Sequence, residues 1–180
     1  MAKSVSSSSK KLSIIIEMQA AAASGGVTTI PSPVSIEERV GMRIRSIEYH
    51  TQYGEVNSIA QGLVAPADKV NFGFSFLAAM PTGGFKPTTP GLIDFKTITN
   101  QSFGAAASGG YQYSPMVTDM TLRDPEGVLV HPANIYFWYY TTNALAAITQ
   151  IYADVYYQSV AIDDKEWEQL WKQIFVTQAG

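Results

Sequence analysis

The sequence predicts an all-β protein, an antiparallel β-sandwich or barrel with one short helix at its C-terminal end. Three observations support this class. Apolar and polar residues alternate with a period of two along much of the chain, as they do in half-buried strands. Clusters of Gly, Pro and Asn separate the alternating segments, and a helical repeat occurs only near the C-terminus. About seven to nine strands with so little helix fit two sheets packed face to face, or one sheet closed into a barrel.

Strand alternation begins close to the N-terminus. In residues 12–23, Leu12, Ile14, Ile16 and Met18 share one parity while Ser13, Glu17 and Gln19 share the other, which predicts a first strand. In residues 39–49 the alternation changes parity near Ser46, and this slip of one residue predicts a β-bulge. Residues 70–78 place phenylalanines on one face and small or polar residues on the other, which predicts a strand over the core. Further strands are predicted from β-branched and aromatic content at residues 91–103, 111–122, 128–130, 134–142 and 147–162.

One helix is predicted at the C-terminal end. Asp163 and Glu166 have the spacing of a capping box, in which each side chain accepts a hydrogen bond from the backbone N–H of the other residue. Apolar residues then repeat at helical spacing at Trp167, Leu170, Trp171 and Ile174. A second capping-box spacing, between Ser35 and Glu38, predicts one turn at most.

The chain of 180 residues is expected to form one domain with two short appendages. Residues 1–11, rich in Ser and Lys, are predicted to be a flexible N-terminal arm, and residues 12–162 the sandwich. Residues 163–180 are the predicted C-terminal helix and tail. The apolar stretch after the arm loosely imitates a secretory signal, but Glu17 and Gln19 interrupt it and its alternation favours a strand.

The composition is low in charge. Charged residues make up 15% of the chain, against about 25% in a usual soluble domain, while 46% of the residues are hydrophobic and 12% aromatic. The net charge is -3, and since the arm carries three lysines, the remainder of the chain is clearly acidic. A surface poor in charge and rich in aromatic residues is typical of a protein that packs against other protein.

The residue types that carry most enzyme chemistry are absent or isolated in the sequence. The chain has no cysteine, which excludes disulfides, thiolate metal sites and cysteine nucleophiles. His50 and His131 have no other histidine or carboxylate at metal-ligand spacing, so each is interpreted as a polar strand end. No nucleophile elbow or phosphate-binding glycine loop occurs, and no stretch is apolar enough to span a membrane. The sequence therefore predicts no catalytic residue, no metal site, no cofactor and no enzyme activity.

Basic residues on the arm and on the second predicted strand are candidates for non-specific contact with nucleic acid. They are Lys3, Lys10, Lys11, Arg39, Arg43 and Arg45. Each neutralised phosphate contributes modestly, and the contribution falls with salt, so these residues cannot be the main source of binding energy. No aromatic and basic RNA-binding motif accompanies them.

Several features together resemble the single jelly-roll coat proteins of small icosahedral viruses. They are the Lys/Ser tail, the strand that follows it at once, the small-residue and proline-rich stretch at residues 20–33, and the closing strands at residues 127–140 and 148–162 with a short helix behind them. The resemblance implies an eight-stranded jelly roll whose copies form an icosahedral shell around a genome. It also implies that the three arm lysines face the genome and that the protein is located in the virion, after assembly in a host cell.

One departure from the coat-protein pattern concerns the arm. Coat proteins that neutralise a genome directly resemble one another in a long Arg-rich arm, whereas this arm has three lysines. The genome would then be neutralised by other cations or other virion proteins, the inner surface would face a membrane, or the chain would be a minor shell component.

Aromatic residues are the predicted contacts between copies of the chain. Tyr136, Trp138 and Tyr140 share one face of a strand, and Trp167 and Trp171 lie on the helix. The same residues would fit an ordinary sandwich core. They also fit an alternative function, a carbohydrate-binding or receptor-binding β-sandwich module that holds a glycan on exposed Trp and Tyr. A cupin-like enzyme would need more histidine than the chain has.

Overall fold

The computed structural model describes residues 8–18, 25–34, 39–51, 69–80, 84–89, 91–99, 116–122, 124–130, 135–141 and 149–178. The strands in these residues are β1 (Lys10–Met18), β2 (Gly25–Ile30), β3 (Val40–Thr51), β4 (Lys69–Ser75), β5 (Lys96–Thr99), β6 (Met116–Asp119), β7 (Val128–Val130), β8 (Ile135–Thr141) and β9 (Thr149–Ala161). A 3₁₀ turn (Met120–Leu122) follows β6, and an α-helix, α1 (Asp164–Gln178), follows β9.

The strands form two antiparallel sheets. The five-stranded sheet has the order β1-β9-β3-β6, with β7 also paired to β3, and the four-stranded sheet has the order β2-β8-β4-β5. β6 and β7 both lie on the side of β3 away from β9, beside different parts of it, so they share one position in the sheet. In the described part of the chain the two sheets thus have eight strand positions, and most connections between consecutive strands cross from one sheet to the other. The jelly roll implied by the sequence resemblance is confirmed.

The core lies between the two sheets and is rich in aromatic rings. Phe72 and Phe74 of β4, Phe137 of β8 and Tyr49 of β3 are fully buried there. The rings of Tyr49 and Phe72 meet edge to face with centroids 5.2 Å apart, and those of Phe74 and Phe137 do so at 5.5 Å. Burial of each such side chain stabilises the fold by about 1.5–3 kcal/mol. The predicted row of core-facing phenylalanines is confirmed.

The β-bulge predicted near Ser46 is also confirmed, and it lies in β3. The pairing of β3 with β9 shifts register between Ile44 and Ser46, so Arg45 is the extra residue. Ile44 before the bulge and Ile47 after it are both fully buried. The apolar residues of β3 change from even to odd positions at the bulge, and the bulge lets both sets face the same core.

The first strand starts earlier than predicted. β1 begins at Lys10 and not at residue 12, because Lys10 and Lys11 pair with Tyr157 and Tyr156 of β9 and continue the ladder. The last two residues of the predicted arm therefore belong to the sheet. Residues 1–7 lie outside the described residues.

Two other strand boundaries differ from the predicted ones. β6 ends at Asp119, because the Asp119 carboxylate accepts hydrogen bonds from the N–H and the hydroxyl of Thr121 at 2.9 and 2.6 Å and so closes the 3₁₀ turn. Of the strand predicted at residues 91–103, β5 begins at Lys96 and not at residue 91, and residues 100–103 lie outside the described residues. The turn predicted at residues 35–38 lies outside the described residues, as does His131.

The outer face of the four-stranded sheet is covered by a segment of the same chain. Residues 84–89 and 91–95, called here the covering segment, place Phe85 and Phe95 against Trp138 of β8, with ring centroids 4.8 and 5.4 Å apart. Backbone hydrogen bonds of 2.9 and 3.1 Å attach the second part of this segment to β4. The sheet is therefore packed on both faces near Trp138, which is fully buried.

The predicted capping box is confirmed at the start of α1. Glu166 N–H donates to Asp163 Oδ1 at 2.8 Å, and Asp163 N–H donates to Glu166 Oε2 at 3.3 Å. Arg39, just before β3, forms an ion pair with Asp164 in the first turn of α1. These contacts fix the start of the helix beside the start of β3. No helix in the described part of the chain is long and apolar enough to cross a membrane.

Tyr49 links the stability of the core to pH in alkaline solution. Its ring is fully buried, and this burial, together with the negative charge of Asp94, raises the pKa of the Tyr49 hydroxyl well above its usual value. In the unfolded chain the same hydroxyl ionises at about pH 10. The stability that Tyr49 contributes is therefore present below about pH 10 and is lost as the pH rises further, since only the unfolded state then releases the proton.

Raising the pH above about 10 is expected to lower the free energy of unfolding by up to about 1.4 kcal/mol per pH unit through Tyr49 alone. Tyr49→Phe removes this hydroxyl, so the variant should lose less stability than the wild type between about pH 9.5 and 11 in urea unfolding. Tyr152→Phe, on the outer face of the five-stranded sheet, is the matched control. Equal pH dependence of Tyr49→Phe and wild-type protein would contradict the prediction.

Candidate assembly surface

The outer face of the five-stranded sheet carries polar side chains at its centre. Ser13 and Ile15 of β1 alternate with core residues, and the same alternation places Tyr152 and Asp154 of β9 on this face. Glu48 of β3 lies directly across from Asp154 in the register. Charges and hydroxyl groups are therefore concentrated on the central strands of the sheet.

Exposed apolar side chains lie at the two edges of this sheet. Ile15 on β1 is 61% exposed; on the opposite edge, Val117 on β6 is 51% exposed and Leu122 on the 3₁₀ turn is 85% exposed. Within the described residues, β1 pairs only with β9 and β6 only with β3, so both edges also present unpaired backbone groups. An exposed strand edge with apolar side chains is typical of a surface that contacts another chain. We use the name β1 edge for the surface around Ile15, and the name β6 edge for the surface formed by Val117 and Leu122.

The predicted interface aromatics fall into two groups. Trp138 is fully buried under the covering segment, whereas Tyr136 and Tyr140 on the same face of β8 are partly buried. Trp167 and Trp171 are partly buried on α1, with their rings edge to face at a centroid distance of 6.2 Å. Trp138 is therefore packed between β8 and the covering segment, and the prediction that it contacts another copy is wrong. Contact of the other four residues with a second copy stays a prediction.

The three arginines of the predicted basic row are engaged within the chain. Arg43 forms an ion pair with Glu126, as Arg39 does with Asp164. The guanidinium of Arg45 donates to a backbone carbonyl and to a side-chain amide oxygen of the same chain, at 3.1 and 3.0 Å. Surface ion pairs are weak, so a phosphate could replace these acceptors, but it would have to compete with them. Nucleic-acid contact at the three arginines stays a prediction.

The described lysines of the predicted arm also have partners. Lys10 Nζ donates to Ser159 Oγ at 2.9 Å, and Lys11 Nζ forms an ion pair with Asp154 Oδ2 at 2.9 Å. Lys3 lies outside the described residues. The structure thus places five of the six basic candidates, and each of the five contacts an acceptor of its own chain.

The prediction that His50 stands alone is wrong. His50 Nε2 lies 3.8 Å from Glu48 Oε2 and 3.6 Å from Asp154 Oδ2. Glu48 and His50 are two residues apart on one strand, so their common face could have been recognised in the sequence. Asp154 could not, because only the register of β3 with β9 brings it to the same place.

The fold is a single jelly roll, an architecture found in viral coat proteins and also in lectin domains and cupins. Among solved structures, the chain is similar to VP1 of Trichodysplasia spinulosa-associated polyomavirus, with a TM-score of 0.54 and 8% identity over 90% of this chain and 98% of that one. It is also similar to Merkel cell polyomavirus VP1 as an unassembled pentamer, with a TM-score of 0.51 and 10% identity over 91% and 100% of the two chains.

A third similar structure is Merkel cell polyomavirus VP1 in complex with GD1a oligosaccharide, with a TM-score of 0.53 and 9% identity over 91% of this chain and 98% of that one. No protein-family model and no curated protein matches the chain. At these identities the likeness shows the fold. It confirms, at that level, the resemblance to jelly-roll coat proteins that the sequence pattern indicated.

Proposed function

We propose that the chain is a structural viral coat protein whose copies assemble into an icosahedral shell around a genome. The observation that carries the proposal is a jelly roll with exposed apolar side chains at both edges of one sheet. The low charge of the chain supports it, because many copies with a net charge of -3 repel one another only weakly. The protein then belongs to the virion, after assembly in a host cell, and no catalytic role is assigned to it.

The two exposed edges suggest how copies meet. The β1 edge and the β6 edge are different surfaces on opposite sides of the sheet, so a contact between them joins one copy to the next head to tail. Contacts of this type close into a ring when the rotation between copies allows it. Merkel cell polyomavirus VP1, which shares the fold, is a pentamer. We propose a ring of the same kind as the first stage of shell assembly.

Nucleic acid and other virion proteins are secondary partners in this proposal. Lys10 and Lys11 lie in β1 with acceptors of their own chain, which leaves Lys3 as the arm lysine beyond the described strand. So few free charges cannot neutralise a genome, since each phosphate contact contributes modestly. We therefore propose that other cations or other virion proteins supply most of the positive charge.

Charge placed on either exposed edge is expected to stop assembly. In Ile15→Asp and Leu122→Asp a charge replaces an apolar side chain at the proposed contact, and the lost burial alone weakens each contact at least about tenfold. Because the contact repeats around a ring, both variants should sediment as small species under conditions where the wild type forms large particles. Thr88→Asp, which adds the same charge at an exposed turn of the covering segment, is the control and should assemble.

Two results would overturn the proposal. The first is wild-type protein that remains a monomer at high concentration in analytical ultracentrifugation. The second is a set of wild-type and edge variants with the same mass distribution, which would show that the edges are not the contacts.

The alternative function is a carbohydrate-binding or receptor-binding module. A VP1 that shares the fold was solved with an oligosaccharide, which is the observation that keeps this alternative. Trp138 does not support it, because that ring is fully buried under the covering segment. A saturable hit on a glycan array, from protein that forms no particles, would favour the module over the coat protein.

A further inference from the structure

We propose that Glu48, His50 and Asp154 form a binding site for a divalent transition-metal ion of the zinc type on the outer face of the five-stranded sheet. The proposal is independent of the coat function. It rests on three side chains, from two neighbouring strands, that offer one imidazole nitrogen and two carboxylate oxygens at one place.

The strand register creates this cluster. Glu48 of β3 lies directly opposite Asp154 of β9, and His50, two residues along β3, lies diagonal to Asp154 on the same face. His50 Nε2 is 3.6 Å from Asp154 Oδ2 and 3.8 Å from Glu48 Oε2, and one ligand atom from each residue lies within 4.8 Å of the others. Neighbouring ligands of tetrahedral zinc, at bonds of about 2.0–2.1 Å, are separated by about 3.3 Å. Small side-chain rotations would therefore bring the three atoms to bonding distance.

Hydroxyl groups orient both carboxylates from outside the cluster. Ser13 Oγ on β1 donates to Asp154 Oδ1 at 2.6 Å, and Tyr156 Oη on β9 donates to Glu48 Oε2 at 3.2 Å. Such outer partners fix ligand orientation in known metal sites. Asp154 Oδ2, which also accepts from Lys11, stays directed toward His50. The Tyr156 bond falls on Glu48 Oε2, the same oxygen that faces His50.

The charge pattern also favours a cation. Two carboxylates directly opposite each other on neighbouring strands repel. In the structure the amino group of Lys11 approaches Asp154 Oδ2 at 2.9 Å and partly relieves this repulsion. The hydrogen bond from Ser13, and then the Lys11 charge, hold the pKa of the Asp154 carboxyl below its usual value. A divalent ion would neutralise both carboxylates at once, with Lys11 as its competitor.

The ligand set selects the class of ion. Calcium and magnesium prefer six or more oxygen ligands, whereas an imidazole nitrogen favours zinc, cobalt and nickel. Three protein ligands would leave a fourth position for water. The His50 and Glu48 side chains are 41% and 31% exposed, so an ion can reach the site from solvent.

The test is titration of the full-length protein with Zn²⁺ by calorimetry and with Co²⁺ by visible absorption. The expected result is one equivalent bound per chain, with the strong absorption of four-coordinate Co²⁺. His50→Ala and Asp154→Asn should each weaken Zn²⁺ binding by at least about tenfold, since loss of even an outer-shell partner usually weakens binding 10–100-fold. His131→Ala is the matched control and should bind as the wild type does.

Lys11→Met provides a test in the opposite direction. Removal of the competing ammonium should tighten Zn²⁺ binding by up to about fivefold, which is the range of a weak surface ion pair. Circular dichroism and thermal melting of each variant establish that the sheet is intact.

NMR of the wild-type protein tests the proposal without any substitution, in case a variant fails to fold. The imidazole resonances of His50 should shift at one equivalent of Zn²⁺, while those of His131 should not. The proposal is overturned if His50 does not respond, if no binding occurs at millimolar Zn²⁺, or if His50→Ala binds as tightly as His131→Ala.

Discussion

Trp138→Ala is expected to lower the free energy of unfolding by about 3–5 kcal/mol, the usual cost of removing a large aromatic ring from a close-packed site. Trp138 is fully buried, and its ring is in contact with Phe85 and Phe95 of the covering segment. Its removal would leave a cavity between the four-stranded sheet and that segment. Urea unfolding, followed by circular dichroism, measures the loss.

Two matched variants show whether burial is the cause. Trp138→Phe keeps a ring, and the indole N–H has no hydrogen-bond partner within the described residues, so this variant should lose much less stability. Trp167→Ala removes the same side chain from a partly buried place on α1. An equal loss for Trp138→Ala and Trp167→Ala would contradict the prediction.

Gly73→Ala is expected to separate the covering segment from β4. A Cβ at position 73 would lie 2.1 Å from the Asp94 carbonyl oxygen and 3.2 Å from Phe95 N, both of them backbone atoms. Backbone cannot move aside as a flexible side chain can, so the expected loss is about 1–3 kcal/mol or more. The amide of Ile93, which donates to the Phe74 carbonyl at 2.9 Å, should exchange its hydrogen faster in the variant.

Gly41→Ala is the control for this substitution. A Cβ there would meet the Ile162 and Leu129 side chains at 2.5–3.0 Å, and their flexible ends can rotate away. Gly73→Ala should therefore be clearly less stable than Gly41→Ala in the same urea series. Equal stabilities, with unchanged exchange at Ile93, would show that the covering segment is not packed on β4 at this point.

The features that the sequence predicted well are those encoded by near neighbours in the chain. The parity change near Ser46 placed the bulge, and the alternation in residues 70–78 placed the phenylalanines on the core side. The spacing of Asp163 and Glu166 placed the capping box. In each case the physical cause, side-chain direction or a local hydrogen bond, acts over a few residues.

The features that the sequence did not predict depend on contacts between distant segments. Alternation puts Trp138 on the same face of its strand as Tyr136 and Tyr140, but burial of that face by the covering segment depends on tertiary packing. The same holds for the ion pair of Arg43 with Glu126 and for the approach of Asp154 to His50. Period and spacing carry no information about which strand lies beside which, so neither the paired arginines nor the three-residue cluster could be read from the sequence.

One edge of the five-stranded sheet is formed by two short strands, β6 and β7, and this limits how a second copy can pair with it. β6 and β7 there are four and three residues long, and the chain between them leaves the ladder and returns at Gly127, whose φ of 87° few other residues adopt. A strand from another molecule cannot pair continuously along this edge, whereas β1 offers nine residues in an unbroken line. Fibrils of stacked strands need pairing on both sides of every copy. The interruption therefore disfavours open-ended pairing of strands between copies along this edge.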